Sequence, residues 1–224
     1  MGHIAKNISE IRASLPPTTQ LVAVSKYYPT EAVAEAYAAG QRIFGESRAQ
    51  ELREKAEALP KDIEWHFIGH LQPNKVKYIA PFISMIHAVD TPKLLAEINR
   101  QAEKCERTIP CLLQLHVAAE ETKYGFSPDE AWQFLESGEW KHFPHAQISG
   151  IMCMATNTDD EVRIQSDFHI AHDFFLRAKE TFFAEAPHFT QCSWGMSDDY
   201  PLAIAEGSTF VRIGSKIFCD SWFF

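Results

Sequence analysis

Short apolar runs alternate with longer amphipathic stretches along the whole chain. Several of the runs are almost continuously apolar, as expected for strands that are buried on both faces of a parallel sheet. The pattern predicts eight strands, near residues 21–25, 41–45, 63–69, 83–89, 111–117, 147–154, 189–194 and 209–213.

Helical patterns separate these strands, and some begin with a capping residue and a first-turn proline, as at Thr91-Pro92 and Ser127-Pro128. Helices are predicted to begin near residues 2, 30, 48, 74, 91, 127, 159 and 199. Eight strands alternating with seven helices predict an α/β protein, a (β/α)8 TIM barrel with an additional N-terminal helix. We expect a single domain over residues 1–224. The main alternative is a doubly wound open sheet, but no Gly-x-Gly-x-x-Gly follows the first strand.

Composition narrows the class of protein further. The 21 basic and 30 acidic residues give a formal charge of −9, which disfavours a nucleic-acid surface. The five cysteines form no Cys-x-x-Cys pair, so free thiols in a reducing compartment are expected. No stretch approaches the roughly 18 apolar residues of a membrane span, and the N-terminus lacks a signal-peptide core. The chain is therefore predicted to be cytoplasmic, without nucleic-acid or membrane partners.

A lysine closes the first strong apolar run, because Lys26 follows residues 21–25 and precedes a turn at Pro29. In a TIM barrel, the active site lies at the C-terminal ends of the strands. An amine held there against apolar groups loses solvation, which favours the neutral nucleophile that a Schiff base requires. The alternative is a lysine whose amine simply reaches solvent at the end of a strand.

The segments after strands seven and eight carry the features of a phosphate site. Residues 193–199 and 211–216 both offer glycine for close backbone approach and hydroxyl groups beside free N–H groups. Phosphate commonly binds at these two loops of a TIM barrel. The structural alternatives are that Ser197 caps a helix and that Gly214 serves a turn.

Arg212 lies inside the last strand, where a guanidinium is costly unless it has a partner. It either pairs with Glu46 or a neighbouring aspartate, or its charge faces a ligand's ring nitrogen and keeps that nitrogen unprotonated. His66 and His70 would lie about 13 Å apart along a strand, so we predict no metal site. No nucleophile elbow, P-loop or triad spacing is present, and no catalytic residue is predicted.

Through the residues named above and their neighbours, the chain resembles the pyridoxal phosphate homeostasis proteins, which are similar to the N-terminal barrel of alanine racemase. The likeness covers nearly the whole chain in the same order. Three residues depart from the family pattern, with Ser47 in place of Asn, Ser215 in place of Thr and Cys219 in place of Gly. The segments that carry the likeness are Val24-Ser25-Lys26, Phe44-Gly45-Glu46, Trp65-His66-Phe67-Ile68-Gly69, Lys123-Tyr124-Gly125, Gly150-Ile151-Met152, Gly195-Met196-Ser197-Asp198 and Val211-Arg212-Ile213-Gly214.

The resemblance implies pyridoxal 5′-phosphate (PLP) as the cofactor, held as a Schiff base on Lys26. It also implies Arg212 near the pyridine nitrogen, with Ser197, Gly214 and Ser215 around the phosphate. Met196 completes the expected set of cofactor-binding residues. The expected function is intracellular PLP homeostasis without robust catalytic activity, with PLP-dependent apoenzymes as partners of a monomeric carrier.

Two other functions remain open from the sequence. A PLP-dependent amino-acid racemase would exchange the substrate's α-hydrogen with solvent, and it would need a second base opposite Lys26. Racemases of this type take that base from a separate C-terminal domain, which we do not expect within these 224 residues. A Schiff-base aldolase would instead use Lys26 without a cofactor and would be colourless.

Overall fold

Eight parallel strands close into one barrel in the computed structural model, which describes residues 2–120 and 123–219. Their order around the barrel is their order in the sequence, and each predicted apolar run overlaps one strand. The TIM-barrel prediction is therefore confirmed. The strands are β1 (Gln20–Val24), β2 (Ile43–Glu46), β3 (Glu64–Phe67), β4 (Met85–Val89), β5 (Ile109–Leu115), β6 (Ala146–Cys153), β7 (Gln191–Ser193) and β8 (Phe210–Ile213).

Helices surround the barrel, and an N-terminal helix precedes β1 as predicted. The local start signals act as expected, since the Thr91 hydroxyl accepts a hydrogen bond from the Leu94 N–H (3.2 Å) and Ser127 forms a capping box with Glu130. A short final helix was not predicted. The described helices are α1 (His3–Ser14), α2 (Thr30–Ala38), α3 (Ala49–Ala58), α4 (Val76–Ile79), α5 (Pro92–Lys104), α6 (Pro128–Ser137), α7 (Glu161–Phe182), α8 (Tyr200–Ala205) and α9 (Ser215–Phe218), with 3-10 turns at Pro73–Lys75 and Glu139–His142.

Successive side chains along each strand point to opposite faces of the barrel wall, and they form two separate apolar cores. The larger core packs the outer face of the barrel against the helices. The smaller core fills the barrel interior, where Val22, Met85, Leu112, Met152 and Phe210 form one cluster. Residues next to these on the same strands belong to the outer core, as the two-residue period of a strand requires.

A bulge in β6 brings glycine against the neighbouring strand. The pairing with β5 shifts register after Ile148, so that Ser149 is the additional residue and Gly150 resumes the ladder. Gly150 has φ +155°, and a Cβ there would lie 1.8 Å from the carbonyl oxygen of Gln191. Only glycine fits this crossing of β6 and β7.

Replacing Gly150 with alanine should destabilise the barrel strongly, because backbone atoms of β7 would have to move. We expect Gly150→Ala to lower the free energy of unfolding by more than about 3 kcal/mol in chemical denaturation. Gly138→Ala is the matched control, since Gly138 also has positive φ but its Cβ would meet only the end of Lys141 at 4.0 Å. That control should lose about 1 kcal/mol, and equal losses in the two variants would contradict the interpretation.

Candidate cofactor site

One cavity of about 490 Å³ lies at the C-terminal ends of the strands. Its size suits a small organic ligand. The wall comes from the C-terminal ends of β1, β2, β3, β5, β6, β7 and β8 and the segments that follow them. All six residues expected to contact a cofactor line it, namely Lys26, Met196, Ser197, Arg212, Gly214 and Ser215. Met154 also lines the cavity.

Lys26 is held in a tight turn directly after β1. The Tyr28 N–H donates to the Ser25 carbonyl at 3.1 Å, which closes a four-residue turn around Lys26 and Tyr27. Tyr27 has φ +71°, a left-handed conformation that costs a non-glycine residue about 1–2 kcal/mol. Its N–H donates to Glu51 Oε1 at 2.9 Å, so α3 stabilises the strained residue. The half-buried lysine side chain is thereby directed from a fixed backbone.

A buried lysine fixes this turn to the rest of the barrel. The Lys55 ammonium donates to Glu46 Oε1 (2.7 Å), to Glu51 Oε1 (2.7 Å) and to the Ser25 carbonyl (2.8 Å). The Ser25 hydroxyl also donates to Glu46 Oε1 at 2.7 Å. Burial raises the pKa of Glu46 above its ordinary value, while the charge of Lys55 opposes that rise. Strand β2, helix α3 and the turn that carries Lys26 therefore meet at one ammonium group.

The two predicted phosphate loops touch each other. The Gly214 N–H donates to Ser197 Oγ at 3.4 Å, and a Cβ at Gly214 would lie 3.0 Å from the Val24 carbonyl. Ser197 therefore does not cap a helix; Asp199 is the N-cap residue of α8. In α9 the first internal hydrogen bonds come from the N–H groups of Ile217 and Phe218, so the Ser215 N–H has no carbonyl partner within the helix. Backbone N–H and hydroxyl groups are thus available at this end of the cavity.

Arg212 is buried beneath the cavity without a carboxylate partner among the described residues. Its guanidinium donates to the carbonyl oxygens of Ser193 (2.7 Å) and Cys153 (2.9 Å) and to Ser193 Oγ (2.6 Å). The alternative that Arg212 pairs with Glu46 is wrong, because Glu46 is held by Lys55. Burial lowers the pKa of Arg212 from its ordinary value, but a guanidinium remains protonated in proteins.

A chain of hydrogen bonds extends from Arg212 into the barrel. Arginine can only donate, so the Ser193 hydroxyl accepts from it, and Ser193 Oγ also forms a hydrogen bond with His87 Nδ1 at 2.9 Å. His87 Nε2 forms a further hydrogen bond with His66 Nδ1 at 2.9 Å. Burial lowers the pKa of His66 to about 3 and that of His87 well below its ordinary value, so both rings are neutral. Among the described residues Arg212 therefore forms no salt bridge, and the charge of Asp199 acts on it only from beyond hydrogen-bonding distance.

A second polar cluster at the cavity wall was missed from the sequence. His70 Nδ1 lies 2.7 Å from Asp90 Oδ2, and the Tyr124 ring stacks on His70 with centroids 3.9 Å apart. Both His70 and Tyr124 line the cavity that contains Lys26. The pair could have been recognised from its position in the chain, because His70 and Asp90 follow the adjacent strands β3 and β4. The sequence analysis had considered His70 only as a metal ligand.

Among residues 2–120 and 123–219, no group of three or more His, Cys, Asp or Glu side chains is arranged to hold a metal ion. None of the helices there combines the length and apolar character that a membrane span requires.

The fold and the lysine-bearing cavity define a class of protein, that of the barrel found in the N-terminal domain of alanine racemase. The family model described as "Alanine racemase, N-terminal domain" matches residues 1–221. The barrel is similar to alanine racemase from Clostridium difficile 630, with a TM-score of 0.74 over 96% of this chain and 56% of that one. At 13% identity, this likeness concerns the fold alone.

Within that class, the chain belongs to the pyridoxal phosphate homeostasis protein family, as the sequence motifs had implied. The family member from Vibrio alginolyticus is 34% identical, and the match covers 97% of each chain. That from Aquifex aeolicus is also 34% identical, over 89% of this chain and 86% of the relative. PipY of Synechococcus elongatus PCC7942, solved without PLP, is 36% identical with a TM-score of 0.88 over 96% of this chain and 99% of its own. PipY with PLP bound gives a TM-score of 0.85.

Removing the Lys55 ammonium should cost more than removing an ordinary lysine, because Glu46 and Glu51 would lose their shared cation. We expect Lys55→Met to lower the free energy of unfolding by about 3–5 kcal/mol. Exposed Lys104 provides the control, and Lys104→Met should change stability by less than about 0.5 kcal/mol.

The loss in Lys55→Met should also depend on pH. Without Lys55, the main opposition to the effect of burial is lost and only the Ser25 hydrogen bond still opposes it, so the pKa of Glu46 rises further. The folded variant then retains a proton that the unfolded chain releases, and its stability falls as pH rises from the ordinary carboxyl range to the raised pKa. Denaturation at pH 5 and pH 8 should show the larger deficit at pH 8. A deficit that is the same at both values would contradict this role for Glu46.

Proposed function

We propose that this chain binds PLP as a Schiff base on Lys26 and serves the intracellular homeostasis of that cofactor. The observation that carries the proposal is the composition of one cavity, in which an amine, a buried cation and a hydroxyl and N–H cradle occur together. The amine is Lys26, the cation is Arg212, and the cradle consists of Ser197, Gly214 and Ser215. The 36% identical PipY, whose solved structure contains PLP, supports the same ligand.

The residues of the cavity fit the two reactive ends of PLP. When bound, the cofactor supplies an aldehyde for the lysine and a pyridine ring that can withdraw electrons. Lys26 binds the aldehyde carbon, while Ser197 and the backbone at Gly214 and Ser215 donate hydrogen bonds to the phosphate. Charge-assisted bonds of this kind are stronger than neutral ones, so the cradle provides much of the affinity. Met196 covers the ligand from the same loop as Ser197.

The positive charge of Arg212 supports the function of a carrier rather than that of an efficient enzyme. Its unneutralised charge disfavours a proton on a ring nitrogen placed beside it, and an unprotonated ring withdraws electrons from a substrate less strongly. Robust catalytic activity is therefore not expected. An amino-acid racemase remains the alternative function, and it is distinguished by enzymatic exchange of the α-hydrogen of added amino acids with deuterated solvent.

The proposal extends to the setting in which the protein works. PLP-dependent apoenzymes would receive the cofactor from a monomeric carrier whose single domain spans residues 1–224. All five cysteines are free, which suits a reducing, cytoplasmic compartment. The formal charge of −9 argues against nucleic acid as a partner.

Lys26→Ala tests the anchor directly. Wild-type protein mixed with PLP should develop the visible absorbance of a Schiff base, and this band should be absent in Lys26→Ala because Lys26 is the one lysine among the described residues that line the cavity. Lys93→Ala, which removes an exposed lysine of α5, should keep the band. Absorbance spectroscopy, with borohydride reduction and peptide mapping, makes the measurement.

The outcomes of that experiment separate the candidate functions. A band that persists in Lys26→Ala would place the anchor on another lysine. If wild-type protein shows no band, PLP is not its ligand, and borohydride trapping of carbonyl substrates on Lys26 would then favour the cofactor-independent aldolase.

Ser197→Ala should weaken binding of the phosphorylated cofactor selectively. Loss of one hydrogen bond to an anion corresponds to about a tenfold rise in the Kd for PLP. The Kd for pyridoxal, which lacks the phosphate, should not change, and exposed Ser166→Ala should alter neither value. Equilibrium titration of both ligands makes the comparison. An equal loss for both would mean that Ser197 acts by shaping the loop.

A further inference from the structure

An Asp–His pair occupies the wall of the cavity that contains Lys26. His70 follows β3, and Asp90 follows the adjacent strand β4. The carboxylate of Asp90 is buried and lies 2.7 Å from His70 Nδ1, while the stacked ring of Tyr124 covers one face of the imidazole. Two independent contacts therefore fix the orientation of the His70 ring.

The other nitrogen of His70 remains available. A carboxylate that accepts from Nδ1–H selects the tautomer in which Nε2 carries a lone pair. No described residue forms a hydrogen bond with Nε2, and the side chain is 37% exposed, so water can reach it. An imidazole held in this way can accept a proton and later return it.

We propose that His70 transfers protons during the reaction by which Lys26 gains and loses its aldehyde ligand, and thereby sets the rate of cofactor loading and release. This inference rests on the proposed function. It assigns a proton-transfer role to His70 and a positioning role to Asp90, which holds the ring.

The chemistry requires such a group. When Lys26 Nζ bonds to the aldehyde carbon, the carbon–oxygen bond breaks, and the oxygen leaves as water with both protons of the neutral amine. His70 Nε2 accepts, through solvent, one proton released by the lysine nitrogen and delivers it to the departing oxygen. In release, water adds to the carbon, Nε2 accepts one proton from that water and returns it to the lysine nitrogen, and the nitrogen leaves as the free amine with both protons of the water. No redox partner is needed, and His70 is unchanged over the cycle.

A proton-transfer group leaves a distinctive kinetic signature. It lowers the barrier in both directions by the same amount, so its loss slows loading and release equally and leaves the Kd unchanged. A residue that merely contacts the ligand would change the ratio of the two rates. The distinction does not depend on any turnover of amino acids.

The experiment measures PLP loading by stopped-flow absorbance and release by transfer to an excess of a carbonyl-trapping amine. His70→Gln should slow both rates about 100-fold, the lower range for general acid–base catalysis, with a Kd within twofold of wild type. His169→Gln, which removes an exposed histidine of α7, should change neither rate. Adding imidazole to His70→Ala should restore both rates in proportion to its concentration.

A second readout uses the protein without cofactor. Nitrogen-15 NMR should show His70 protonated on Nδ1 and unprotonated on Nε2 when neutral, and Asp90→Asn should shift that balance and slow loading. If His70→Gln leaves both rates unchanged, or raises the Kd in step with release, the inference is overturned. If the wild type forms no Schiff-base band at all, the proposed function fails and this inference fails with it.

Discussion

The Lys55 ammonium is the contact on which the geometry of the cavity depends. Its three donors reach the carboxylates of Glu46 and Glu51 and the carbonyl of Ser25, so no donor is left unmatched in a buried setting. Desolvating such a group costs several kcal/mol, and only complete hydrogen bonding offsets that cost. The turn around Lys26 is therefore positioned by a network that tolerates little displacement, although Tyr27 occupies a strained conformation within it.

The two buried cations of the barrel, Lys55 and Arg212, have different kinds of partner. Lys55 is surrounded by carboxylates, whereas Arg212 contacts only carbonyl oxygens and the Ser193 hydroxyl, which leads on to two neutral histidines. The charge of Lys55 is consequently neutralised by the carboxylates of its own cluster, while the electric field of Arg212 extends into the cavity. This difference lets one side chain organise the fold and the other influence the ionisation of whatever ligand lies above it.

Features encoded locally were predictable from the sequence, and features that depend on distant contacts were not. The strands were recognisable because parallel strands buried on both faces read as apolar runs, and all six residues predicted from the strand ends line one cavity. The partner of Arg212 was not predictable, because carbonyl oxygens carry no sequence signature. The His70–Asp90 pair joins residues 20 positions apart, and the bulge at Gly150 depends on register. The burial of Lys55 was not predictable either, because its partners Glu46 and Ser25 lie in β2 and in the turn after β1.

A carrier and an enzyme need different arrangements of polar groups around the cofactor. Efficient carbanion chemistry favours a closed, water-excluding site and an electron-poor cofactor ring. Here Lys26 is only half-buried, Tyr124 is 55% exposed at the same cavity, and a permanent cation lies beneath. Exchange of a cofactor bound through a Schiff base requires water to enter and leave at the lysine, which an open mouth permits and a sealed one prevents. An accessible amine and an oriented imidazole in one cavity, with Arg212 in its wall, thus suit the reversible capture that we propose.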